Sequence, residues 1–120
     1  MNILVLDDDE NIHAYYRHIL KQIKGAGIIT TVSSSIAFGR SLKMNNYHVI
    51  LCDIHMEPLS GPDILRAYKG RIAGKEIIML SCADKLQDES NSLIKDGINV
   101  RACFQKPLVP QDLFDLLECN

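Results

Sequence analysis

No run of the 120 residues approaches the roughly 20 consecutive apolar positions that a membrane-spanning helix needs, and no membrane association is expected. Strand-like sequence begins by Ile3, so no targeting segment is expected. Charge bias is lacking too: 13 basic against 15 acidic residues give a formal net charge of −2, without the basic excess of a nucleic-acid binder. The four cysteines, Cys52, Cys82, Cys103 and Cys119, show no CxxC pair and no Cys/His spacing suited to zinc. Three lie in or beside apolar runs, where Cys acts as a small core hydrophobe, so reduced thiols in a cytoplasmic protein are expected. Internal repeats, low-complexity tracts and linkers are absent. What is left is an ordinary globular composition, 47% hydrophobic and 23% charged, with length for one domain over residues 1–120.

What is present is organised around residues 47–61, YHVILCDIHMEPLSG. The short run from His48 to Cys52 stops at Asp53, before a proline-containing loop and the Gly61-Pro62 opening of a helical pattern. A continuous apolar run bounded by turn signals predicts a strand buried on both faces. Similar runs occur at Ile3 to Leu6, Ile28 to Val32, Glu76 to Leu80 and Val100 to Phe104. Helical patterns alternate with them. Ile12, Tyr15, Tyr16, Ile19, Leu20 and Ile23 fall on one helical face. Ser33-Ser34-Ser35 supplies an N-cap for a second helix that ends near Asn45. Pro62 suits the first position of a third, which carries Ile64, Leu65, Tyr68 and Ile72 inward. The most polar helix, 84–96, is anchored by Leu86, Leu93 and Ile94, and the last, 111–118, buries Leu113, Leu116 and Leu117. Five strands alternating with five helices predict an α/β fold, a doubly wound parallel sheet. Right-handed crossovers then place every strand's carboxyl end on one edge, where open α/β sheets bind ligands.

Four strands end there in a polar side chain: Asp7 and Asp8, Asp53, Ser81, and Lys106. Taken singly these are a helix cap, a turn residue, a buried hydroxyl and a solvated lysine. Taken together they gather three carboxylates, a hydroxyl and an ammonium. Two carboxylates about 4 Å apart repel by about 4 kcal/mol at an effective dielectric near 20, so the cluster calls for a counter-charge. A hard cation with oxygen ligands, Mg²⁺, is the natural one, and Lys106 adds a second positive charge. Such surroundings suit a phosphoryl group, with Asp53 as nucleophile.

The pieces ILVLDDDE, VILCDIHM with Gly61 eight residues after Asp53, IIMLSCAD and FQKPL occur in this order, each at a strand end. In this the sequence resembles the receiver domains of two-component response regulators over essentially its whole length. The resemblance implies a flavodoxin-like (βα)5 fold with strand order 2-1-3-4-5. It implies Asp53 as phospho-acceptor, Asp7 and Asp8 as acidic Mg²⁺ residues, and the backbone carbonyl of His55 as a further ligand. Ser81 is then the hydroxyl that moves toward the phosphoryl group and Lys106 its ion-pair partner, with the peptide before Pro107 cis. The implied partners are a histidine kinase or histidine phosphotransfer protein as donor and a downstream protein effector, with no nucleic acid bound by this domain. Catalysis is confined to the domain's own phosphoryl transfer and dephosphorylation.

Departures from the family pattern accompany the match. Cys103 stands where a switch aromatic is usual, with Phe104 next to it; Glu57 replaces the usual proline, with Pro58 one residue later. The segment from Gly97 to Lys106 is about two residues longer than usual. Two other readings remain at this stage. A receiver-like module could bind partners without phosphorylation. Alternatively, Asp7-x-Asp9 could mark a haloacid-dehalogenase-like phosphatase, although Asn11 stands where that family has Thr or Val. A transition-metal site using His55 and Glu57 lacks a second suitably spaced histidine.

Overall fold

Five short apolar runs pair into one parallel sheet, ordered β2-β1-β3-β4-β5. The strands are β1 (Ile3–Leu6), β2 (Ile29–Val32), β3 (Val49–Asp53), β4 (Glu76–Ser81) and β5 (Val100–Gln105). The helices are α1 (His13–Lys21), α2 (Ser35–Met44), α3 (Gly61–Ala67), α4 (Lys69–Ile72), α5 (Leu86–Lys95) and α6 (Pro110–Glu118). The structure is a computed structural model and describes residues 1–81 and 86–118. Among the described residues, no helix is long and apolar enough to cross a membrane.

Strand alternation builds two cores. Leu4, Leu6, Ile50, Cys52, Ile77 and Met79 pack on one face with Phe38, Ile64, Leu65 and Leu93 of α2, α3 and α5. Ile3, Val5, Leu51, Ile78 and Leu80 face the other way, against Tyr16, Ile19 and Leu20 of α1 and Leu113 and Leu117 of α6. The central strands β1 and β3 are buried on both faces, as a parallel sheet requires. That alternation also separates Cys103 from Phe104. Cys103 pairs in register with Met79 and packs in the α2/α3/α5 core, whereas Phe104 pairs with Leu80 and packs on the α1/α6 side. Phe104 therefore does not take over the place left by the missing aromatic.

Several boundaries differ from the sequence reading. A 3-10 turn, Glu10–Ile12, precedes α1, with the Asp9 carboxylate accepting from the Asn11 amide. Tyr15, expected inward, is exposed, because it lies at the margin of the buried stripe with its hydroxyl donating to Leu108 O. Ile28 and His48 lie outside their strands, and Asp53 closes β3 from within. The third helix is two: α3 and α4 part at Tyr68, whose φ of −107° and ψ of 20° leave the helical region. Ser60 caps α3 through the Asp63 amide, which places Pro62 second rather than first in the helix. The expected start of α5 at Asp84 lies outside the described residues. Its Ile94 is exposed, while Leu93 and Ser90 are buried. Consecutive residues Ile77 and Ile78 face Val100 and Ala102, so Arg101 is the extra residue of a bulge and accounts for part of the added length before Lys106.

Candidate functional site

The carboxyl ends of β1, β3, β4 and β5 deliver their polar residues to one edge. Asp7 follows β1 and is fully buried; Asp53 closes β3 and is 5% exposed; Ser81 closes β4 and is fully buried. Asp8 is exposed, which leaves one side of the cluster open to water. Carboxylate oxygens of Asp7, Asp8 and Asp53 all lie within 4.8 Å of one another. Lys106, just beyond β5, answers their charge. Its Nζ is 2.8 Å from Asp7 Oδ2 and 3.4 Å from Asp53 Oδ2. The Lys106 amide also donates to Ser81 O at 2.8 Å, which ties the β5 exit to the end of β4.

Burial sets the electrostatics. Desolvation raises the Asp53 pKa above its ordinary value; Lys106 pulls against this rise and the Asp7 charge adds to it. For Lys106, burial works against the ammonium, but hydrogen bonding and charge from Asp7 and Asp53 outweigh it and the net shift is upward. The thiol of Cys52, fully buried, is held well above its usual pKa by burial and by the neighbouring Asp53. It therefore stays a thiol, unsuited to redox chemistry. Cys82 and Cys119 lie outside the described residues.

Three contacts were not legible in the sequence. The Tyr16 hydroxyl donates to Asp7 Oδ2 at 3.3 Å, and burial followed by the Asp7 charge raises its pKa, so it remains a neutral donor. His13, buried at the start of α1, donates through Nε2 to the Asp7 carbonyl at 2.7 Å. The Asp9 amide donates to Asp7 Oδ1 at 3.0 Å. The only signal was that His13 and Tyr16 lie one helical turn apart, facing the strand that ends at Asp7. His55 reaches the site by its amide, which donates to Asp53 Oδ1 at 3.3 Å, while its side chain points to solvent. The peptides before Pro107 and before Pro58 are both cis. Gly61 is obligatory for space: a Cβ there would fall on the Asp53 carbonyl oxygen.

The donor set fits a hard cation. All three clustered groups are carboxylates, one faces water, and an ammonium already stands at the position of a counter-charge. Among the described residues, His55 and Glu57 join no metal-binding cluster. Asp9 is engaged as a cap, not aimed into the cluster as a second phosphatase carboxylate would be.

Comparison with known proteins settles the family. The profile of the response regulator receiver domain matches residues 3–118. The chain belongs to that family. As a receiver domain it is a module of two-component signalling. It is 31% identical over 81 residues to the response regulator UvrY of Escherichia coli, covering 68% of this chain and 37% of that protein. The chain thus spans little more than a third of the length of the curated relatives it matches. A receiver domain from Clostridium thermocellum superposes with a TM-score of 0.82 at 29% identity, covering 98% of this chain and 91% of that one. The BeF3-activated receiver domain of DrrB gives 0.77 at 25% identity, covering 98% and 94%. The flavodoxin-like order 2-1-3-4-5 is thereby shared with these structures.

Proposed function

We propose that Asp53 accepts a phosphoryl group from a phosphohistidine on a histidine kinase or phosphotransfer protein, or from a small acyl phosphate. The observation that carries this reading is Lys106, whose ammonium stands beside both Asp7 and Asp53 at the mouth of a three-carboxylate cluster. An Asp53 oxygen bonds to phosphorus as the phosphohistidine's P–N bond breaks, the departing imidazole keeping the electron pair and taking a proton from solvent. From an acyl phosphate the P–O bond breaks instead and a carboxylate departs with the pair; either way Asp53 becomes an acyl phosphate. The His55 amide orients the attacking carboxylate through Oδ1. In this reading Asp7, Asp8, Asp53 and the His55 carbonyl would hold Mg²⁺, which when bound would supply positive charge against the transferring oxygens. Lys106 then leaves Asp7 for a phosphoryl oxygen, and Ser81 donates its hydroxyl to another. The new charge biases a two-state equilibrium that a downstream protein effector reads. We place this chemistry in the cytoplasm, with no nucleic acid bound by the domain itself. The covalent steps are self-catalysed transfer and dephosphorylation, without turnover of a separate substrate.

Beryllofluoride, a phosphoryl mimic, tests the site without hydrolysis. With Mg²⁺ present, it is expected to give bound fluorine resonances and a raised melting temperature, both lost on Asp53→Asn. Binding that survives Asp53→Asn would refute the assignment. Absence of binding to the wild-type protein would favour the phosphorylation-independent interaction module.

A further inference from the structure

A second feature lies on the α2/α3/α5 side of the sheet and shares no residue with the carboxylate cluster. Ile36, Arg40 and Lys43 follow one another at helical spacing on α2, and with Gly39 they face Tyr68 and Arg71 across a cleft of about 260 Å³. The cleft has a built floor. Gly39 has no side chain, and a Cβ there would meet the Tyr68 ring within 2.8 Å, so the ring lies directly on the helix. The Tyr68 hydroxyl is fixed by donating to Ser35 O at 3.2 Å, and its ring packs edge-on against Phe38 with centroids 5.5 Å apart. A glycine inside a helix costs about 1 kcal/mol relative to alanine, which here is the condition for that contact.

The rim is cationic and unneutralised. Arg40, Lys43 and Arg71 are exposed, no acidic residue lines the cleft, and among the described residues none of the three has an ion-pair partner. This departs from the rest of the chain, where 10 basic residues remain against 15 acidic ones. The same helix face carries the two most exposed large apolar side chains described, Ile36 at 68% and Met44 at 78%. Two cations therefore lie between two aliphatics along one stripe.

We infer that this cleft docks an acidic segment of a partner protein, an amphipathic peptide presenting Asp or Glu to the three cations and an aliphatic residue to Ile36 and Met44. Three cations are fewer than the cluster of about 4–8 that holds a protein to an anionic membrane. A single-stranded nucleic acid needs exposed aromatic platforms, and the one aromatic here, Tyr68, is committed to Gly39 and Ser35.

Fluorescence anisotropy with a labelled amphipathic peptide of Glu and Leu tests the inference, with the same peptide carrying Gln for Glu as control. Saturable binding of the Glu peptide is expected, weakened by salt. Arg40→Glu with Arg71→Glu should reduce affinity at least about tenfold, and Ile36→Ser with Met44→Ser should also reduce it. All four positions are exposed, and circular dichroism checks that the variants fold. Equal binding of the Gln peptide, or full affinity in the charge-reversed variant, would overturn the inference. So would preference for a labelled oligonucleotide or phosphatidylserine vesicles. Self-association in sedimentation that Arg40→Glu abolishes would assign the cleft to a second copy of the chain and overturn it too.

Discussion

Asp7 receives donors from several directions: Lys106 and Tyr16 at Oδ2, the Asp9 amide at Oδ1, and His13 at its carbonyl. The acidic residues and the lysine were legible in the sequence because each interrupts or follows an apolar run, and the topology carries such ends to one edge. Tyr16 and His13 were not. Helical periodicity reads Tyr16 as a core residue, which it is, but says nothing of where its hydroxyl ends. That depends on how α1 lies across β1. Replacing Tyr16 by Phe removes one donor from a buried carboxylate that keeps Lys106 as a partner. A loss of about 1 kcal/mol in urea unfolding is expected. No loss would show that the 3.3 Å contact is energetically idle.

Among the elements, the strands were the most readable, because a strand buried on both faces leaves little ambiguity in composition. Helix ends were less so. The break at Tyr68 follows from tertiary demands, since Tyr68 reaches Ser35 and Phe38 on α2, and no Pro or Gly at that residue signals it. Cys103 and Phe104 show the opposite case: period-two alternation assigns their faces once the register with Met79 and Leu80 is known. The bulge in β5 was visible only as surplus length. Its extra residue, Arg101, donates to Glu76 Oε2 at 2.6 Å and to Leu116 O at 3.0 Å, tying β5 to β4 and α6. Glu76 is partly exposed, which limits the worth of the ion pair. Arg101→Ala is therefore expected to lower stability by about 1 kcal/mol, chiefly through the lost carbonyl contact. An unchanged unfolding midpoint would mean that the bulge holds its shape without the side chain.

At the scale of the molecule, the sheet edge concentrates like charge in a place of low hydration, and stability bears the consequence. A carboxyl whose folded pKa lies above its unfolded value binds more protons folded than unfolded. Stability then falls as pH rises from the ordinary value of 3.8 through the folded pKa of Asp53. Asp53→Asn should be more stable than the wild type at neutral pH without metal. That advantage should vanish below about pH 4, and Mg²⁺ should narrow it at neutral pH by stabilising the wild type. Equal stability at every pH would contradict the electrostatic account. Lys106 acts in the other window: its raised pKa contributes stability that is complete below 10.5 and lost as pH climbs through the folded value.

The central claim is that Asp53 is the phospho-acceptor, and intact-protein mass after incubation with acetyl phosphate tests it most directly. A single phosphoryl adduct is expected with Mg²⁺ present, absent without the metal and absent from Asp53→Asn. An adduct of the same size that persists in Asp53→Asn would place the acceptor elsewhere and contradict the account.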